Sequence, residues 1–90
     1  MSDRQILLQV LGSQDENRKL MERELDIRLS LRDTLLVVTG SPTMVERAAA
    51  LLAQLIAVAE RGKSVSAADV TYLVRMMKSG EAVEDVEGLL

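Results

Sequence analysis

"LGSQDENRKLMERELDIRL", residues 11–29, decides how this chain folds. Gly12 breaks an apolar run, and Ser13 to Glu16 then has the form of a capping box, a hydroxyl residue followed three positions later by a glutamate. Asp15 and Glu16 lie where the dipole of a starting helix favours anions. Leu20, Met21 and Leu25 follow at helical spacing with Asn17 at the head of the stripe, and Arg18, Lys19, Glu22 and Arg23 take the wetter side. The spacing predicts a helix to about Leu25, closed by Asp26. The period then changes to two, with Ile27, Leu29 and Leu31 alternating with Arg28, Ser30 and Arg32, as in a strand with one buried face. A glycine turn opening a helix also points backbone N–H groups outward, which suits a phosphate. The stretch therefore reads either as a well-capped helix start or as a loop that holds a nucleic-acid backbone.

Upstream, Ser2-Asp3-Arg4-Gln5 repeats the capping pattern, and Ile6, Leu7, Val10 and Leu11 fall at helical spacing before Gly12. Periodicity alone leaves a strand open for so short an apolar run; a short helix is expected. Downstream, Asp33-Thr34 reads as a tight turn and Leu35–Thr39 as the returning strand of a hairpin. Ser41 caps a third helix with Pro42 at its first position, running to about Glu60 or Arg61 and stopped by Gly62. Its expected apolar stripe is Val45, Ala48, Ala49, Leu52, Leu55, Ile56 and Ala59. Ser66-Ala67-Ala68-Asp69 is a further capping box, and Val70, Leu73, Val74 and Met77 then share one face up to Gly80. The expected class is α+β, in the order α-α-β-β-α-α, with a β-hairpin packed against helices.

Composition narrows function mostly by exclusion. Ninety residues make one small domain, and with one Tyr and no Phe or Trp its core must be aliphatic. Cysteine and histidine are absent, so Cys/His metal sites and thiol chemistry are excluded. The longest apolar stretch, Ala48 to Ala53, ends at Gln54, too short to span a bilayer, so no membrane partner and a cytoplasmic location are expected. The acidic balance is uneven. Residues 81–90 carry Glu81, Glu84, Asp85 and Glu87 and no base, leaving 11 bases and 10 acids in residues 1–80. The expected organisation is a folded body over 2–80 and an acidic tail or linker over 81–90. A general nucleic-acid-coating protein would be more basic.

No nucleophile motif or Walker A loop is present, and the adjacent acids Asp15 and Glu16 point about 100° apart on a helix, so they do not converge. The chain is expected to be no enzyme. Around the glycine turn, Gly12, Ser13, Gln14, Asn17, Arg18 and Lys19, with Arg28 and Arg32 from the strand, are the residues available to line a groove for a single strand.

The pattern "VLGSQDENRKLMERELDIRLSL" followed by "LVVTGSPTMVERAAALL" resembles a KH domain. More closely, Leu11-Gly12, Asp15, Asn17, the hairpin with Arg32-Asp33, Thr39-Gly40 and "RGKSVSAADVTYLVRMMKSGEA" resemble the N-terminal region of PhoH-family proteins, over about residues 2–83. The resemblance implies a divergent KH-like module joined to a P-loop ATPase domain that is absent here. It places ATP and Mg in that absent domain and leaves this chain with no cofactor of its own. It also implies single-stranded RNA as a partner, read through the groove beside the glycine turn. Two departures matter. The KH grip loop has a second glycine where this chain has Asp15, and a carboxylate there repels a phosphate by about 1 kcal/mol or more near a low-dielectric surface. The strand that precedes the first helix in PhoH-like modules looks missing, so a two-stranded sheet with an open edge is expected, and with it self-association through that edge. The alternative function is thus a protein-interaction, oligomerisation or regulatory module of the parent ATPase without nucleic-acid binding.

Overall fold

The apolar run that begins at Ile6 is helical. A computed structural model describes residues 4–79 and places helix α1 at Arg4–Leu11. Leu7, Val10 and Leu11 are buried and Ile6 is packed against the core, the stripe the spacing implied. Gly12 ends the helix with φ 86°, its N–H donating to the Leu8 carbonyl at 3.1 Å. The expected Ser2 cap, the Gly80 stop and the acidic tail lie outside the described residues.

The link into the next helix departs from the expected capping box. Ser13–Asp15 forms a single 3-10 turn and α2 starts only at Glu16, running to Leu25. Gln14 and Asp15 both take positive φ, 54° and 60°, and the cap position of α2 falls on Asp15 with no side-chain cap bond. Ser13 stays exposed. The turn is instead closed by the Asp15 N–H on the Gly12 carbonyl (3.1 Å). Aspartate is among the few non-glycine residues that tolerate the left-handed region, so Asp15 supplies the backbone shape for which a glycine would otherwise serve.

Asp26, at φ 54°, ends α2 and turns the chain into β1 (Arg28–Arg32), which pairs antiparallel with β2 (Leu35–Thr39) across the Asp33-Thr34 turn. The register sets Leu29 opposite Val38 and Leu31 opposite Leu36, so these four side chains share the face turned to the helices. Arg28, Ser30 and Arg32 line the other face. The sheet has two strands among the described residues.

Helix α3 (Pro42–Glu60) starts as its sequence predicts: the Ser41 hydroxyl accepts from the Met44 N–H at 3.3 Å, with Pro42 at the first position. Its buried stripe is rotated from the expected one. Ala48, Leu52, Leu55 and Ala59 are buried as expected, but Leu51 and Val58 join them while Ala49 is exposed and Val45 and Ile56 are half-buried. The helix is longer than the Ala48–Ala53 run suggested, and by length and composition it is apolar enough to cross a membrane; here its buried side supplies the centre of the core. The reciprocal box at Ser66 and Asp69 forms and opens α4 (Ala67–Lys78), which buries Val70, Leu73, Val74 and Met77. α1 packs on α3 and α2 on α4, with the hairpin beside α3, in a body 30 × 28 × 23 Å.

Candidate nucleic-acid interface

Asn17 is the polar residue on which this architecture turns. It is fully buried, the only polar side chain in the described core. Its Nδ2 donates to the Val10 carbonyl at 3.1 Å and to the Val65 carbonyl at 3.3 Å. One amide thereby ties the end of α1, the start of α2 and the loop before α4. Gly12 lies directly against it: a Cβ at position 12 would sit 2.9 Å from both Cγ and Nδ2 of Asn17. Asn17 was a candidate for contacting a strand; the structure instead closes it off from solvent and makes it a structural tie.

Gly12 and Ser13 line an open cleft of mixed character, about 540 Å³, with Leu8, Gln9 and Glu16 and with Lys63, Ser64 and Val65 of the loop after α3. Gln14 is exposed at the tip of the turn. Arg18 is held on both sides: its Nε lies 3.4 Å from Asp15 Oδ1 and its Nη1 2.9 Å from Glu22 Oε1. Those spacings, i−3 and i+4, are the neighbouring positions on a helix surface. Two carboxylates thus share one guanidinium, and Arg18 offers a phosphate little unneutralised charge. The other oxygen of Glu22 accepts the Leu29 N–H at 2.8 Å, fastening α2 to β1.

A second cleft, about 390 Å³, lies between α2 and β1 and is lined by Lys19, Glu22, Arg23, Asp26, Ile27 and Arg28. Lys19 and Arg28 meet here, separate from the Gly12 cleft, so the site expected from sequence is divided in two. Arg23, which the sequence placed on the wetter side of the helix but not among the candidate residues, joins them, four residues after Lys19 on the same helix face. Arg32 projects from the far end of β1 on the face of Arg28. Among the described residues Lys19, Arg28 and Arg32 make no ion pair, whereas Arg23 lies 3.3 Å from Glu24. Glu24 also receives Lys78 Nζ at 3.3 Å, linking α2 to α4. The Lys78 hydrogen bond, helped by Arg23, holds the Glu24 carboxyl below its ordinary range. This contribution is present above the ordinary carboxylate pKa and is lost as the pH falls through the lowered one. The link lies at the surface, so it steadies the α2–α4 contact only slightly.

Among the described residues no group of three or more Asp or Glu is placed to hold a metal ion. No protein-family model matches the chain, and no solved structure does. Curated proteins do. A PhoH-like protein of Bacillus subtilis (strain 168) is 34% identical over 74 residues, 82% of this chain and 23% of that protein. PhoH-like proteins of Mycobacterium bovis and Mycobacterium tuberculosis are 32% identical over 72 residues, 80% of this chain and 20% of theirs. The chain therefore spans about a fifth of the length of the relatives it matches.

Proposed function

We propose, from the premise that this chain is a homologue of PhoH-like proteins over four-fifths of its own length, that it is a non-catalytic accessory module which contacts single-stranded RNA through the cleft between α2 and β1. Catalysis, with ATP and Mg, belongs in this reading to the remainder of a longer, cytoplasmic PhoH-like ATPase.

The observation that carries the reading is the unneutralised charge of Lys19, Arg28 and Arg32 on the α2–β1 side of the fold. Both arginines of α2, Arg18 and Arg23, have a carboxylate beside them. Arg28 and Arg32 are four residues apart on one strand face, roughly 13 Å along the strand, so they can follow a backbone of regularly spaced phosphates. The Gly12 cleft is the weaker candidate: Glu16 lines it and Asp15 lies in the turn beside it, whereas of the two acids lining the α2–β1 cleft Glu22 is taken up by Arg18 and the Leu29 N–H, leaving Asp26. The single aromatic residue, Tyr72, is exposed on α4 and leaves the α2–β1 cleft without a stacking platform, so binding rests on charge and is weak and salt-sensitive.

The test is fluorescence anisotropy with a labelled oligouridylate over a series of salt concentrations. A single strand releases about 0.7 counterion per neutralised phosphate. The double variant Lys19→Ala/Arg28→Ala is therefore expected to flatten the slope of log affinity against log salt by about 1.4. Gln14→Ala, at the glycine turn, leaves it unchanged. No binding by the unsubstituted chain at high micromolar protein in low salt, or an unchanged slope in the double variant, overturns the proposal.

A further inference from the structure

The two edges of the hairpin are unlike. In a hairpin with a two-residue turn, the residues flanking the turn form a hydrogen-bonded pair, and such pairs alternate along the ladder. Arg32–Leu35, Ser30–Val37 and Arg28–Thr39 are then bonded within the hairpin, while Leu29 and Leu31 of β1 and Leu36 and Val38 of β2 aim their N–H and C=O groups outward. On β1 that edge is managed: the Leu29 N–H is taken by Glu22 Oε2 at 2.8 Å, and Arg28 and Arg32 stand at its ends. Pairing β1 antiparallel with its own copy about Ser30 would set Arg28 against Arg32, like charges facing each other. On β2 no described residue takes up the outward groups of Leu36 and Val38; Arg4 Nη1 reaches only the Asp33 carbonyl in the turn, at 2.8 Å. Leu35-Leu36-Val37-Val38-Thr39 has no charge, no proline and no bulge, and Leu35 is 63% exposed.

Beside this bare edge lies an apolar cleft of about 320 Å³, lined by Leu7, Leu36 and Val38 and by Ala49, Ala53 and Ile56 of α3. α3 is apolar almost all round, yet only Ala48, Leu51, Leu52, Leu55, Val58 and Ala59 of its 19 residues are buried. A helix with apolar residues on every side is one that is covered on every side.

We propose that the occupant of this edge and cleft is a second copy of the chain, joined β2 to β2 about a two-fold axis through Val37. The strand is its own complement. Antiparallel pairing sets Leu36 against Val38 of the copy and Val38 against Leu36, and their outward N–H and C=O groups satisfy one another on both sides of the axis. No charge faces a like charge. The product is a four-stranded sheet ordered β1-β2-β2-β1 with all helices on one side. The two α3 helices then meet across the axis, where Ala49 and Ala53 are small enough to let them approach. A foreign strand would gain the same backbone bonds but has no counterpart on this molecule to dictate its sequence; the copy brings a matching edge and a matching apolar helix. The cations of the α2–β1 cleft end up at the outer rims of the sheet, so pairing neither requires RNA contact nor prevents it.

Sedimentation velocity over a range from micromolar to near-millimolar chain tests this. The unsubstituted chain is expected to show a reversible monomer–dimer equilibrium. Ala53→Glu, at an exposed position on the cleft, brings two carboxylates together across the axis and is expected to raise the dissociation constant at least about tenfold. Ala50→Glu, exposed on α3 but turned away from the cleft, is expected to leave it unchanged. Far-ultraviolet circular dichroism of both variants, matching that of the unsubstituted chain, shows that the fold survives. A chain that stays monomeric throughout, or a dimer that Ala53→Glu weakens no more than Ala50→Glu does, overturns the inference.

Discussion

Replacing Gly12 by alanine is expected to lower the midpoint of thermal unfolding by roughly 12–24 °C, for a loss of about 3 kcal/mol. Two effects converge there. Gly12 has φ 86° and ψ 167°, a region of backbone space open in practice only to glycine, and a side chain forced into it costs about 1–3 kcal/mol. The new methyl would also stand 2.9 Å from Asn17 Cγ and Nδ2. Asn17 is fully buried and has nowhere to retreat, so relief comes only by weakening its bonds to the Val10 and Val65 carbonyls, each worth about 1 kcal/mol. A domain of this size has a total stability of only about 5–13 kcal/mol, so the loss is a large share of it. Circular dichroism on heating measures it. A midpoint within about 5 °C of the unsubstituted chain would mean that the turn has another conformation.

Asn17→Asp is expected to be as damaging, but only above acidic pH. The substitution keeps the size of the side chain and replaces two donors by an anion facing two carbonyl oxygens. A buried carboxylate there has no donor to meet it, so the folded state holds the carboxyl neutral and its pKa rises above the unfolded value. Keeping an aspartate of ordinary pKa about 3.9 protonated at pH 7 costs about 4 kcal/mol, which bounds the electrostatic part of the loss. Because the folded pKa is the higher one, folding takes up a proton, and the deficit shrinks as the pH falls toward the unfolded pKa. Near pH 4 about 1 kcal/mol should remain, from the one carbonyl that a carboxylic acid cannot reach. Asn17→Leu serves as the reference: it removes both bonds and has no titrating group, so its deficit should not vary with pH. Urea denaturation of both variants at pH 4 and pH 7 separates them. Parallel deficits at the two pH values would show that position 17 is hydrated rather than enclosed.

Both outcomes rest on a contact that the sequence discloses only in part. The ends of most elements were legible because local chemistry fixes them: Ser41 with Pro42, the reciprocal box of Ser66 and Asp69, and the stops at Gly12, Asp26 and Gly62 act within a few residues of themselves. The hairpin was legible from its period and its turn. Asn17 could be placed at the head of the α2 stripe, but its role depends on Val65, 48 residues away, and no local pattern announces a long-range partner. The same tie explains why the box at Ser13 does not form. The amide of Asn17 and the backbone of Gly12 fix where α2 begins, and tertiary structure overrides a favourable local pattern. The buried side of α3 was misjudged by about one residue's turn because alanines at 48, 49, 50, 53, 57 and 59 surround the helix with small apolar groups, leaving no strong period to read.

For the candidate site, the sequence supplied the cations but not their pairing. Arg18 looked as available as Lys19. The carboxylates three residues before it and four after it, at Asp15 and Glu22, are the positions that reach a helical arginine, and they claim it. The division of the expected groove also had no sequence signal, since it follows from how α2 packs beside β1, which sets Lys19 and Arg23 against Arg28 and away from the glycine turn. Similarity to PhoH-like proteins over 72 to 74 residues agrees with the resemblance read from the residues.

In the proposed function the α2–β1 side, and not the glycine turn, meets the nucleic acid. Amide chemical-shift mapping of isotopically labelled chain during titration with single-stranded RNA at low salt distinguishes the two. The largest shifts are expected at Lys19, Arg23, Arg28 and Arg32, with Gly12, Ser13 and Ser64 near their free positions. Shifts centred on Gly12 and the loop at Lys63, or a spectrum that RNA leaves unmoved, would contradict it.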